Sequence, residues 1–215
     1  MRWRRPTSNL LEAALQYAAS DVPVFPCHYP VSSPSARPGR WATAECSCDQ
    51  VGCAHPSEHP LTPFGLEEAT TDPGQVLAWW HRWPHANIGL ATGVRFDVLE
   101  LADVAVLAAL RHWAASHGVR LTGPAVQTGR GGWHYLFAPT GAGSLLAVPR
   151  LEGGPIRNVY WRGQGGYVIA PPSRHVTGGV HRWVRGLDTP LPEAPGFLRR
   201  LLALPAQPAA AAVDQ

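Results

Sequence analysis

The stretch Phe96-Asp97-Val98-Leu99-Glu100-Leu101-Ala102-Asp103 opens as a β-strand, and Val104, Leu107, Leu110 and Ala114 then recur at helical spacing up to Gly118. Two further strands follow, Ala125 to Thr128 and Trp133 to Phe137, joined by the turn Gly129-Arg130-Gly131-Gly132. Strand, helix, strand, strand in that order is a fragment of a split β-α-β-β unit, which predicts an α+β fold with an antiparallel sheet.

Upstream, Asn87 to Thr92 reads as a strand, and after a Gly93 turn Phe96 to Leu101 reads as a second, adjacent one. Asp72 as cap and Pro73 at the first helical position start a helix through Val76-Leu77-Ala78-Trp79-Trp80 that stops near Pro84. Asn9 and Glu12 form a capping pair for a first helix to about Ser20, and Val22-Pro23-Val24-Phe25 follows as a short buried strand. Downstream, strands are expected at Asn158 to Trp161, Tyr167 to Ala170 and Val180 to Val184, then a helix around Phe197 to Leu204. One domain over residues 8–204 is expected, followed by a loose Ala/Pro-rich tail over 205–215.

The 215 residues suffice for a real hydrophobic core, and 45% hydrophobic against 15% charged residues argues against a disordered or fibrous chain. All 18 basic residues are Arg, against 15 acids, and the formal charge of +3 permits a phosphate-rich partner without demanding one. No apolar run approaches the roughly 20 residues that span a bilayer, and Met1-Arg2-Trp3-Arg4-Arg5 leads into Pro6 rather than a signal-peptide core. A soluble, cytoplasmic protein without membrane contact is the expectation.

Three of the four cysteines, Cys46, Cys48 and Cys53, cluster near His55 and His59 in a Pro/Ser/Gly-rich stretch. Such clustering favours metal over disulfides. Cys46-x-Cys48-x4-Cys53-x5-His59 offers three thiolates and an imidazole, a set that suits a closed, structural zinc site in a loop over about residues 44–60. His55 competes for the fourth position.

Three further segments bear on chemistry. In Thr128-Gly129-Arg130-Gly131-Gly132-Trp133-His134 the glycines let a ligand approach the backbone, Arg130 offers a planar phosphate donor, and His134 lies just inside the next strand. Along Phe96 to Asp103, carboxylates two apart would share a strand face and could grip divalent ions together. Glu100 instead shares its face with Ala102, Asp97 has the opposite parity, and Asp103 reaches in only if the chain bends. Trp161-Arg162-Gly163-Gln164-Gly165-Gly166-Tyr167 describes a hairpin in which Arg162 can face an anion.

These segments, in this order, resemble the N-terminal domain of the bifunctional DNA primase/polymerase family of the archaeo-eukaryotic primase superfamily. The similarity is collinear from about Leu10 to Leu204. It runs through the cysteine loop ending His59-Pro60, Ala69-Thr70-Thr71-Asp72-Pro73 and Pro84-x-Ala86-Asn87-Ile88-Gly89-Leu90-Ala91-Thr92-Gly93. It continues through the Gly-Gly-x-His turn and Gly165-Gly166-Tyr167-Val168-Ile169-Ala170-Pro171-Pro172-Ser173. The resemblance implies a palm on an RRM-like antiparallel sheet and template-directed nucleotidyl transfer in DNA replication. It also implies Mg²⁺ or Mn²⁺ held by carboxylates, structural zinc, and nucleoside triphosphate and DNA as partners, with a helicase or other replication protein alongside.

Carried across, the family's triphosphate-contacting histidine falls on His134, and its zinc loop on Cys46, Cys48, Cys53 and His59. Where relatives carry Asp-x-Asp this chain has Glu100-Leu101-Ala102, and a third family Asp falls on Tyr160. The candidate catalytic residues are thus Glu100, Asp103 and His134; the candidate nucleotide-binding residues are Arg130, Gly131, Gly132, His134 and Arg162. Two functions compete on this fold, a nucleotidyl transferase and a non-catalytic module binding nucleotide or nucleic acid, beside a zinc-stabilised protein-interaction module.

Overall fold

In a computed structural model, residues 9–32, 44–102, 104–116, 118, 120–144 and 158–202 are described. The expected tail over 205–215, the ends of the 8–204 domain, and Asp103 lie outside them.

The chain opens with α1 (Leu10–Ala18), capped by Asn9, whose side chain accepts from the Glu12 amide. Then come β1 (Val24–Cys27) and two short strands, β2 (Pro30–Val31) and β3 (Glu45–Cys46), and a 3-10 turn at Gly65–Glu68. In α2 (Pro73–Arg82) the Asp72 carboxylate accepts from the amides of Gly74 and Gln75, with Pro73 in the first turn. There follow β4 (Asn87–Ala91), β5 (Asp97–Leu101), α3 (Val104–Ser116), β6 (Ala125–Gln127) and β7 (Trp133–Phe137). The chain continues with β8 (Val159–Arg162), β9 (Tyr167–Ile169), β10 (Arg182–Arg185) and α4 (Gly196–Leu202).

Two antiparallel sheets carry the fold, β1-β4-β9 and β10-β6-β7-β5-β8, with β2-β3 as a small separate pair. The β5-α3-β6-β7 order is the split unit expected, and all pairings in the larger sheet are antiparallel. The strands β4 and β5 are not neighbours, contrary to expectation. Both edges of β4 are taken by β1 and β9, and both edges of β5 by β7 and β8, so the turn at Gly93 passes the chain from one sheet to the other.

Alternation along the strands divides the core in two. Leu99, Leu101, Tyr135, Phe137 and Trp161 pack against Val106, Leu107 and Leu110 of α3 and Leu198 of α4. Val98, Val126, Leu136 and Trp183 face the other way and join the core formed by α1, α2 and the smaller sheet. Val104 does not belong to the apolar face of α3; it is exposed, and Val106 packs in its stead. Gly89 is required because a Cβ there would meet the Phe25 ring at 2.5 Å.

A polar contact inside the core of α1, α2 and the smaller sheet ties α1 to the end of β9 and to β10. The buried Tyr17 hydroxyl donates to the Pro171 carbonyl at 2.7 Å and accepts from the Trp183 indole at 2.8 Å. Tyr17→Phe removes both buried hydrogen bonds, and should cost about 2 kcal/mol. Urea unfolding checks this, and a loss below about 0.5 kcal/mol would show that the pair finds other partners.

Candidate functional site

On the face of the larger sheet that looks toward β9, the register aligns a row of side chains across four strands. His134 of β7 lies opposite Glu100 of β5, and Glu100 opposite Tyr160 of β8, while Val126 of β6 flanks His134. These residues open onto a cleft of about 410 Å³, also lined by Arg130, Arg162, Tyr167 and His181, and by His55 and Glu58 from the cysteine loop. Four of the sequence-predicted residues, Glu100, Arg130, His134 and Arg162, therefore meet in one place.

Glu100 is engaged. Arg162 donates through Nε to its Oε2 at 2.6 Å, and the guanidinium lies 5.4 Å over the ring of Tyr160. Ala102 lines the same cleft without a donor atom. Asp97 points to the opposite face, where it is fully buried and accepts from the amide and hydroxyl of Thr140, both at 2.7 Å. It is a structural acid, as its parity required.

His134 is buried, and that burial foremost lowers its proton affinity; Arg162 acts in the same direction and Glu100 against it. Its neutral imidazole can donate one hydrogen bond and accept another. Glu58 brings a second carboxyl to the cleft. Burial and then Glu100 push its pKa up, with Arg130 and Arg162 opposing.

The glycine turn differs from expectation in part. A Cβ at Gly132 would run into the Leu101 carbonyl, and one at Gly129 would meet the Gly179 carbonyl at 2.8 Å. Both glycines thus clear neighbouring backbone rather than a ligand. Only Gly131 stands open, at φ +94 with nothing near its missing side chain.

Beside the cleft, Cys46, Cys48, Cys53 and His59 offer ligand atoms that all lie within 4.8 Å of one another. His59 Nε2 is 3.5 Å from the sulfurs of both Cys46 and Cys53. Ligands held at zinc distances by a tetrahedral ion stand about 3.6 Å apart, so this donor set fits zinc. Burial chiefly drives the Cys46 thiol up to about 11, and a cation in its place would hold the thiolate that burial alone disfavours. His55, the competing ligand, faces the cleft instead. Among the described residues no other group of three or more His, Cys, Asp or Glu is close enough to hold a metal ion. In the cleft Glu100 is paired with Arg162, and positions 102 and 160 carry Ala and Tyr.

Three contributors were not legible as site residues: Glu58, His175 and His181. Glu58 arrives because the cysteine loop folds over the cleft, held by the Tyr167 hydroxyl donating to its carbonyl at 3.0 Å. Buried Asn87 binds the same loop through the Ser57 carbonyl at 2.9 Å, and clasps Arg174 through both its amide nitrogen and its oxygen. Arg174 pairs with Val180, and that hairpin carries His175, 3.6 Å from Glu58, and His181. The pair His175-x5-His181 around Gly178-Gly179 was the available signal.

An α+β domain with a split antiparallel sheet, a Cys₃His loop and a histidine and arginine cleft on the sheet face is the class defined here. The family model described as bifunctional DNA primase/polymerase, N-terminal, matches residues 14–197, and the chain belongs to that family. No curated protein matches the chain. Membership brings a primase/polymerase-family role in DNA replication, with the nucleotide and DNA binding that the family implies. No described helix is long and apolar enough to cross a membrane.

The cysteine loop yields a direct test. Cys48→Ser should lower bound zinc and melting temperature together, read by metal analysis and thermal unfolding of the same sample. Full zinc occupancy in that variant would remove Cys48 from the ligand set.

Proposed function

We propose that this domain binds a nucleoside triphosphate and DNA, and that metal-dependent nucleotidyl transfer has been lost from it. The observation that carries this reading is the 2.6 Å ion pair between Arg162 and Glu100. It engages the one carboxylate left where relatives place three, and Ala102 and Tyr160 stand at the other two positions. Two-ion transfer needs anionic ligands to hold the cations that steady the developing charge, and their loss removes transition-state stabilisation along with metal affinity. What remains suits an anion: Arg130 and Arg162 for phosphate oxygens, with His134 offering a hydrogen bond beside them. The zinc loop is a structural clip in this reading, and a helicase or other replication protein supplies the partner with which a binding module would work.

A second reading keeps catalysis through a rearranged metal site. Glu58 favours it, because the cysteine loop delivers a second carboxyl near enough to Glu100 to have its own pKa raised by that neighbour. A triphosphate that drew Arg162 away would free Glu100 to act with it.

A primer-extension and de novo priming assay with Mg²⁺ and Mn²⁺ separates the two. The wild type should be inactive, and Asp restored at 100, 102 and 160 should recover synthesis. Activity in the wild type, abolished by Glu100→Ala, would overturn the binding-only reading in favour of the second. In parallel, His134→Ala should weaken triphosphate binding about tenfold with the fold intact, and an unchanged affinity would take His134 out of the site.

A further inference from the structure

His181, at the head of β10, is only 3% exposed, yet neither of its ring nitrogens has a hydrogen-bond partner. Its main chain is satisfied, the amide donating to the Ser173 carbonyl at 2.9 Å. Buried polar side chains nearly always find a partner, and an imidazole that lacks one on both nitrogens is held at a cost a phenyl ring of similar size would not incur. The ring lines the cleft, and its centroid is 6.3 Å from that of His134. Continuing the Arg182 to Gln127 register by one residue sets His181 beside Thr128, the first residue of the turn that carries Arg130. The unmade hydrogen bonds therefore lie at the end of the cleft where a cation is presented, and a partner there is an anionic oxygen rather than a base edge. Burial foremost, with His134 and His175 adding to it, lowers the proton affinity of His181 well below the ordinary range. At neutral pH it is an uncharged ring with one N–H to give and one lone pair to fill.

We propose that His181 is a ligand-binding residue, donating a hydrogen bond from one ring nitrogen to a phosphate oxygen of the triphosphate held in the cleft. The assignment rests on the nucleotide reading above and extends it to a residue on the 173–181 hairpin. Arg130 then neutralises the phosphate and His181 orients it, a division of labour between a charged fork and a rigid, buried donor.

Calorimetric titration of the full-length, zinc-loaded protein tests this with three probes: a deoxynucleoside triphosphate, inorganic tripolyphosphate and the bare deoxynucleoside. His181→Phe keeps a planar ring and removes both hydrogen-bonding atoms; His181→Asn keeps a donor. The phenylalanine variant should lose about tenfold in affinity for triphosphate and tripolyphosphate alike, and the asparagine variant should recover part of it. The melting temperature of His181→Phe should hold or rise, because an unmade pair of buried hydrogen bonds has been removed. Equal affinity in wild type and His181→Phe would overturn the assignment, and a fall in melting temperature with unchanged affinity would make His181 a structural residue satisfied by water. A loss for the nucleotide but none for tripolyphosphate would move the contact to the sugar or base, against the phosphate assignment. Failure of the wild type to bind either phosphate ligand would overturn the nucleotide reading itself, an outcome distinct from all of these.

Discussion

Alternation along β5 governs both the packing and the chemistry of this domain. As the strand that pairs with β7 on one edge and β8 on the other, it turns Leu99 and Leu101 toward α3 and turns Val98 and Glu100 toward the smaller sheet. A slip of one residue would bury Glu100 under the helix and bring Asp97 to the cleft. Leu99, Leu101 and the Asp97 to Thr140 bonds hold the register against that slip, so Glu100 is the carboxylate presented to ligand. Arg162 and His134 of the neighbouring strands, and Glu58 of the cysteine loop, share the cleft with it.

Its neighbours set what Glu100 can do. With Ala at 102 and Tyr at 160, Arg162 has no competing acids in its row and closes onto Glu100, its planar cation resting over the Tyr160 ring. In the proposed reading this cleft receives phosphate, with buried imidazoles supplying uncharged donors.

The cysteine loop is more than an external clip. Its Glu58 and His55 form part of the cleft wall, and Asn87, Tyr167 and the 173–181 hairpin hold it there by hydrogen bonds that cross between distant parts of the chain. A metal that orders Cys46, Cys48, Cys53 and His59 therefore also orders the loop residues between them that face the ligand.

The sequence by itself determined the local elements and named Glu100, His134 and Arg162 as candidates one by one, because strand parity, helix caps at Asn9 and Asp72 and the Cys₃His spacing are short-range signals carried by adjacent residues. It could not decide between His55 and His59, which differ by four positions in one loop. Nor could it separate β4 from β5, since which strand pairs with which is settled by long-range hydrogen bonding. Glu58 and His181, and His175 behind Glu58, stayed hidden for the same reason: they come together only when a loop and a hairpin far apart in the chain are tied together by Asn87, Tyr167 and the β4 to β9 pairing. Tertiary structure alone brought them in, and with them a buried histidine whose two unbonded nitrogens no local pattern could reveal.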